Sequence, residues 1–308
     1  MSKEKLPKIL AIVGPTATGK SNLAVFLAKK FNGEVVSADS RQVYKSMNLG
    51  SGKISKKEMQ GIKHHLLDVA SPKSASYNVS KFKTASEKAI SKILKAKKLP
   101  ILCGGTGFWI DSVCKNQNFS DVAPNKELRN KLSKLSAEKL FAMLLKQDPQ
   151  RAKNIDAKNK RRLIRALEII KGSRKPAFRN LNGTPKYQVL YIGLDMDTTK
   201  LLQKISKRLD IRLKKGMIAE VKKLHQNGAS WKTLENFGLE YRFVSLYLQG
   251  KISKEEMRSY LLTAVKKYAK RQRTWFKRNK EIFWFDPNKK SSMQKTALKT
   301  KNFLKEAA

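Results

Sequence analysis

The sequence predicts an α/β fold: a parallel sheet flanked by helices, with a helical insertion set into it. Short apolar runs at 9–13, 34–40, 99–103 and 187–197 each give way to a glycine or an aspartate. Segments with apolar residues at helical spacing lie between them, the alternation that builds a parallel sheet covered on both faces. From about Lys115 the texture turns helical and basic, and a β-rich run returns only at Tyr187.

Ile9 to Val13 reads as the first strand, broken at Gly14. Gly14-Pro15-Thr16-Ala17-Thr18-Gly19-Lys20-Ser21 then fits G-x-x-x-x-G-K-[ST] and opens a helix carrying Leu23, Phe26, Leu27 and Phe31, closed at Gly33. That strand–loop–helix context makes the core P-loop NTPase-like. Backbone N–H groups and the helix N-terminus hold phosphates, Lys20 reaches the outer ones, and Ser21 can ligate Mg²⁺. The second strand, "EVVSADS", runs out at Asp39. Residues 80–98 form an amphipathic helix with Phe82, Ala85, Ala89, Ile90, Ile93 and Leu94 on one face. "LPILC" is a third strand, ending in "GGTG" (104–107) before the helix-like "FWIDSV". The insertion holds a turn at Asp148-Pro149 and a helix at 159–172 closed by Gly172. After the strand in 187–197 come a long helix over 198–227, a loop around Trp231 and a basic helix from Ser253 to about Lys280. The Lys-rich segment after Pro287 reads as a frayed tail. The expected division is 1–114 (first part of the core), 115–183 (the insertion) and 184–308 (second part, with the basic helices).

Charge is the strongest bulk signal: 67 Lys+Arg against 24 Asp+Glu, net +43. A polyanionic partner such as nucleic acid is the usual reason to tolerate such self-repulsion, and a proteome-wide lysine bias is the competing one. The apolar runs are too short to span a bilayer, and no apolar leader follows the charged N-terminus. Cys103 and Cys114 make no disulfide framework, and His64, His65 and His225 are too scattered for a zinc site. A cytoplasmic monomer is expected, as no long apolar stripe demands a dimer.

Three groups can do chemistry. Asp39, on the phosphate-loop edge of the sheet, can accept from an amine or take its proton; it can equally N-cap a following helix. In "GGTG" the glycines allow close backbone approach to a ligand, and the Thr106 hydroxyl can donate to a phosphate or leaving-group oxygen. Arg161, Arg162 and Arg165 share one helix, and "YAKRQRTWFKR" (268–278) interleaves cations with aromatics. That mixture suits RNA phosphates and unstacked bases, though Trp275 and Phe276 could instead face the core.

In order, "GPTATGKS", "SADSRQVYKSMNLGSGK", "HHLLDV", "GGTG", "NKRRLIRALEI", "RLDIRLKKGMIAEV" and "AKRQRTWF" resemble the bacterial tRNA dimethylallyltransferases, also called tRNA Δ2-isopentenylpyrophosphate transferases. The resemblance runs from about Leu6 to Phe285. It implies transfer of a dimethylallyl group from dimethylallyl diphosphate to N6 of the adenosine 3′-adjacent to the anticodon, in tRNAs reading codons that begin with U. In that family the phosphate loop holds the donor's diphosphate rather than ATP, so Gly14 to Ser21 would bind it, with Ser21 on Mg²⁺. Asp39 would engage the adenine amine, Thr106 the bridging oxygen, and Arg208 the departing diphosphate. Contacts to the tRNA anticodon stem-loop would come from Asp39, Ser40, Arg41, Gln42 and Thr106. In the insertion they would come from Arg129 and from Arg161, Arg162, Leu163, Ile164 and Arg165. On the closing helix they would come from Lys270, Arg271, Gln272, Arg273, Thr274, Trp275, Phe276 and Lys277. Two departures are visible: "FGLEYR" stands where the family usually carries Gly-Tyr-Lys-Glu, and Trp109 where it often carries Tyr.

Two other readings explain the phosphate loop alone. A P-loop kinase acting on a nucleoside or small metabolite uses Lys20 and Asp39 but leaves the basic–aromatic helix idle. A non-enzymatic RNA-binding ATPase switch needs an acid after an apolar strand, for which Asp68 in "HHLLDV" is the nearest candidate.

Overall fold

The computed structural model describes residues 6–173 and 183–306. By internal contacts the chain divides into two compact units, Met1–Asn116 with Pro185–Ala308, and Gln117–Thr184.

In the first unit the elements are, in chain order, β1 (Lys8–Val13), α1 (Lys20–Lys30), β2 (Gly33–Ser37), α2 (Lys56–Met59), β3 (His64–His65), α3 (Val79–Lys95), β4 (Leu99–Cys103) and α4 (Gly107–Cys114). The second unit supplies α5 (Lys126–Ser133), α6 (Ala137–Gln147), α7 (Pro149–Lys153) and α8 (Lys160–Ser173). The first unit resumes with β5 (Gln188–Leu194), α9 (Thr198–Lys214), α10 (Met217–Gln226), α11 (Trp231–Phe237), α12 (Leu239–Leu248), α13 (Lys254–Phe276), β6 (Phe283–Phe285) and α14 (Ser292–Lys305). The sheet is six-stranded and parallel throughout, in the order β3-β2-β4-β1-β5-β6.

A strand covered on both faces must be apolar throughout, and β1 is: Ile9 to Val13 are fully buried. Ile9, Ala11 and Val13 pack with Val36, Leu102, Ile90, Ile110 and Leu209 on one face. Leu10 and Ile12 pack with Leu23, Leu27, Ala297 and Phe303 on the other. This topology places the ends of β1, β4 and β2 side by side, so the loops after Val13, Cys103 and Ser37 share one edge, where open α/β sheets bind ligands.

Several boundaries differ from the sequence expectation. The first helix stops at Lys30, and Gly33 opens β2 instead of closing α1. The predicted helix over 198–227 breaks at Gly216, whose φ of 96° makes it the left-handed N-cap of α10. Trp231 begins α11 instead of sitting in a loop, because Ser230 caps the Thr233 N–H, and His225 stacks on the Trp231 ring at 3.6 Å. β6 adds an unexpected edge strand before Pro287, and α14 stands where the frayed tail was expected. Ala297 and Phe303 are buried, and the Lys8 ammonium donates to the Phe303 carbonyl (2.7 Å) near the end of α14. α8 continues through Gly172 to Ser173.

The second unit has its own core of Leu132, Leu140, Leu144, Ala152, Leu163, Ala166 and Leu167. Glu168, 1% exposed, is its polar centre. It accepts from the Asn125 N–H (2.7 Å), from Nε and Nη2 of Arg129 (2.8 Å each) and from Nη1 of Arg165 (2.5 Å). Burial alone would raise this carboxyl, but the bonds from Arg129 and Arg165 outweigh it and hold it below the ordinary glutamate value. Its stabilisation is therefore present at neutral pH and lost as pH falls through that depressed value. Glu168→Gln is expected to destabilise the protein by about 2 kcal/mol in urea unfolding, less than the 3–5 of a fully buried pair because water can reach both arginines.

Candidate active site

Gly14 turns the chain out of β1 at φ 136°, and a Cβ there would lie 2.2 Å from the Leu194 carbonyl oxygen, so no other residue fits. The loop then folds on itself. The Thr18 hydroxyl donates to the Pro15 carbonyl (2.9 Å), as does the Lys20 ammonium (2.6 Å). Gln272 of α13 closes it from outside: its Oε1 accepts from the Thr16 N–H (2.8 Å), and its Nε2 donates to the Gly105 carbonyl (2.9 Å). One amide thus ties the phosphate loop to the GGTG turn.

Burial pushes the Lys20 ammonium down to about 8. The Arg208 charge adds to the shift, and the Asp39 carboxylate opposes it. Arg208 projects from α9 and donates to the Thr16 hydroxyl (3.4 Å) and the Gly52 carbonyl (3.3 Å). Burial, helped by neighbouring Arg212, lowers it to about 10, so it stays charged at neutral pH. Two desolvated cations beside the phosphate loop and the N-terminus of α1 make an arrangement suited to an anion.

Asp39 follows β2. Its Oδ1 accepts from the Arg41 and Gln42 N–H groups (2.8 and 3.3 Å), a local turn instead of a helix cap, since the next helix starts at Lys56. Oδ2 takes no part in that turn. The Thr106 hydroxyl accepts from the Ser40 N–H (3.1 Å) and hydrogen-bonds the Tyr268 hydroxyl. Tyr268 is raised well above its ordinary value by burial and then by Asp39, so it remains a neutral phenol. The structure therefore brings together Gly14–Ser21, Asp39, Thr106 and Arg208.

The remaining expected residues separate into exposed and engaged groups. Lys270, Arg271 and Thr274 are exposed on α13 and Lys277 just past its end, and Arg161 and Arg162 are exposed on α8. Gln272, Phe276 and Leu163 are buried, so their side chains bridge or pack instead of presenting themselves to RNA. Arg273 is anchored on Asp195 (2.7 Å), Trp275 Nε1 donates to Asp111 (3.1 Å), and Arg129 and Arg165 are held by Glu168. Ile164 is half-buried beside the insertion core. Arg41 donates through Nε to the Phe237 carbonyl (2.6 Å), and Gln42 to that of Gly52 (3.3 Å). Trp109 is buried and stacked on Phe82 at 4.3 Å, a packing role. Cys103 and Cys114 are free, buried thiols, each pushed up to about 12 by burial.

The sequence alone marks neither Tyr268 as a site residue nor the clamp made by Gln272. The signal was their spacing: 268, 272, 275 and 276 recur as i, i+4, i+7 and i+8, one face of α13, turned toward the sheet edge. Asp68 does not serve a nucleotide switch. It is half-exposed in the loop after β3 and pairs with Lys53 at 2.5 Å. Of the strands flanking β1, β4 runs into Gly104 without an acid, and the aspartate after β5, Asp195, is taken by Arg273.

A parallel sheet, a phosphate-loop motif at its switch point and an acid beside it are the framework of an α/β enzyme with a candidate phosphate site at its sheet edge. The comparisons narrow that class. The model of the family described as IPP transferase matches residues 42–279. A tRNA dimethylallyltransferase of Acetivibrio thermocellus is 38% identical over 307 residues, covering 97% of this chain and 98% of its own. The crystal structure of the full-length tRNA isopentenylpyrophosphate transferase from Bacillus halodurans superposes with TM-score 0.72 at 36% identity, covering 97% and 96% of the two chains. A eukaryotic dimethylallyltransferase solved acting on tRNA gives TM-score 0.84 at 26% identity, covering 97% of this chain and 79% of that one. The chain belongs to the IPP transferase family.

Proposed function

We propose that the chain is a tRNA dimethylallyltransferase, moving the dimethylallyl group of dimethylallyl diphosphate to N6 of the adenosine 3′-adjacent to the anticodon in tRNAs reading codons that begin with U. The observation that carries this reading is the convergence of a desolvated anion cradle (Gly14–Ser21, Lys20, Arg208) with a carboxylate and a hydroxyl (Asp39, Thr106) on one sheet edge. The N6 lone pair forms the new bond to C1 of the donor as the C1–O bond breaks. The electron pair leaves with diphosphate, and the N6 proton goes to Asp39 Oδ2. Lys20, Arg208 and the loop N–H groups stabilise the growing charge on the leaving group, and such preorganised electrostatics usually dominates a barrier of this kind. The Ser40 N–H fixes the Thr106 oxygen, and the Thr106 hydroxyl would give its proton to the bridging oxygen of the bound donor.

Ser21, next to Lys20 at the start of α1, would give a ligand to a Mg²⁺ that accompanies the diphosphate. Among the described residues no cluster of three or more His, Cys, Asp or Glu could hold a metal alone. That fits an ion brought in with the diphosphate, whose chemistry would be charge neutralisation. The exposed cations of α13, and separately those of α8, are the surfaces offered to anticodon stem-loop phosphates. Because a stacked base cannot reach the sheet edge, the adenosine must be extruded into the site. Among the described residues no helix is long and apolar enough to cross a membrane, and two reduced thiols suit a cytoplasmic setting. We read the working form as a monomer.

The competing kinase is separated by giving the protein γ-labelled ATP and labelled dimethylallyl diphosphate in parallel, with unmodified tRNA. Label is expected in tRNA from the prenyl donor alone, and phosphate transfer from ATP would replace the proposal by the kinase. The cradle also predicts a pH dependence. Lys20 holds diphosphate only as the cation, and its free-site value is near 8. Inorganic pyrophosphate affinity, measured calorimetrically, should be level below that value and fall as pH rises above it. Constant affinity to pH 9.5 would remove Lys20 from the binding set.

A further inference from the structure

Arg208 is not the only cation at this edge. Arg212, one helical turn further along α9, is 13% exposed and donates through Nη1 to Oε1 of Glu240, a 3.1 Å pair with a carboxylate 12% exposed. Both guanidinium groups close on Gly52. A Cβ built there would stand 1.6 Å from Arg212 Nη2 and 2.4 Å from Arg208 Nη2, so the missing side chain is the space the two cations occupy. The loop beneath them is fixed. The Glu220 carboxylate accepts from the N–H groups of Asn48, Leu49 and Gly50 (2.9, 2.7 and 3.0 Å), and Tyr241, the residue after Glu240, donates to it at 3.1 Å. Glu240 itself lies in the first turn of α12, where the helix dipole favours a carboxylate.

Two guanidinium groups crowded on one glycine out of water repel each other unless a negative charge offsets them. The anchors differ: Arg212 is held by the Glu240 carboxylate, and Arg208 by the Thr16 hydroxyl of the phosphate loop and the Gly52 carbonyl. We propose that Arg212 and Glu240 are a positioning pair for Arg208. Glu240 neutralises Arg212 and pins it on Gly52, and the pinned Arg212 confines Arg208 to the phosphate loop. This deepens the reading that the loop holds a departing diphosphate and rests on it. Without Glu240, the uncompensated Arg212 pushes Arg208 off the loop. Without Arg212, the unpaired Glu240 captures Arg208 and draws it the other way. Either loss misplaces the same cation, and losing both restores it.

The test is a double-mutant cycle on the full chain with Arg212→Met, Glu240→Gln and the combination, read as kcat and KM for prenyl transfer to tRNA. Each single variant is expected to lose about tenfold in kcat with donor KM within about threefold, and the combination to recover to within about threefold of the parent, the signature of coupled neighbours. Single variants within about twofold of the parent, or a combination that loses the product of the two, overturn the proposal. If Arg212→Met does not fold, Glu240→Gln against the combination decides: recovery supports the pair, none overturns it. If the parent chain transfers no prenyl group, it is the reaction assignment that fails. Inorganic pyrophosphate binding still judges the pair, by weakening in Glu240→Gln and return in the combination, or by no change.

Discussion

Asp39→Asn is expected to lower kcat for prenyl transfer by a hundredfold or more, to about the 10²–10⁴ that a positioned general base contributes. Melting temperature and pyrophosphate affinity should stay at parent values. The asparagine carbonyl can take the same two N–H bonds from Arg41 and Gln42, so the turn after β2 survives. What disappears is the carboxylate oxygen outside the turn, the atom proposed to draw on the adenine amine and receive its proton. An exocyclic amine is a weak nucleophile because its lone pair is delocalised into the ring, and a charged acceptor on its N–H returns part of that density. Stopped-flow or quench measurements of the transfer step check this directly. Turnover within about threefold of the parent would place the proton elsewhere.

Arg208→Ala should cost a comparable amount, roughly 10²–10³ in kcat, for the opposite half of the reaction. Arg208 touches Thr16 of the phosphate loop and lies out of water, where a cation acts on a nearby anion far more strongly than at a surface. Its interaction grows as the C1–O bond lengthens, so kcat should fall more than donor KM rises. Pyrophosphate, carrying the fully developed charge, should bind at least tenfold more weakly, whereas Asp39→Asn leaves it untouched. The two variants thus separate nucleophile from leaving group. Identical pyrophosphate affinities in both would collapse that distinction.

The fold was legible where burial and local chemistry agree. β1, the phosphate loop and α1 can be read from "ILAIVGPTATGKS" because a strand buried on both faces needs a continuous apolar run, and the turn after it needs Gly14. The C-terminal third was less readable for the converse reason. α14 is lysine-rich and looks like solvent-exposed tail, but a few apolar positions, Ala297 and Phe303 among them, suffice to seat it on the sheet. β6 is three residues long and forms only because β5 is there to pair with it, which no local pattern encodes. The site followed the same rule. Asp39 and Thr106 stand at strand ends that a motif can mark. Gln272 and Tyr268 work through partners over a hundred positions away and Arg212 and Glu240 pair across two helices, and "KRQRTWF" as a string shows its charges without showing which side chain turns inward. Its buried glutamine is the clearest example: read as part of an RNA-facing run, it joins the two ligand-binding loops instead.

The central claim is that the phosphate loop holds an isoprenoid diphosphate as leaving group, not a nucleotide as phosphoryl donor. The most direct measurement is to incubate the purified chain with Mg²⁺, isotopically labelled dimethylallyl diphosphate and unmodified tRNA, without ATP, then digest the tRNA to nucleosides for mass spectrometry. Labelled N6-dimethylallyladenosine matched one-for-one by released pyrophosphate is the predicted result. Unmodified adenosine throughout, or modification that appears only when ATP is supplied and hydrolysed, would contradict it.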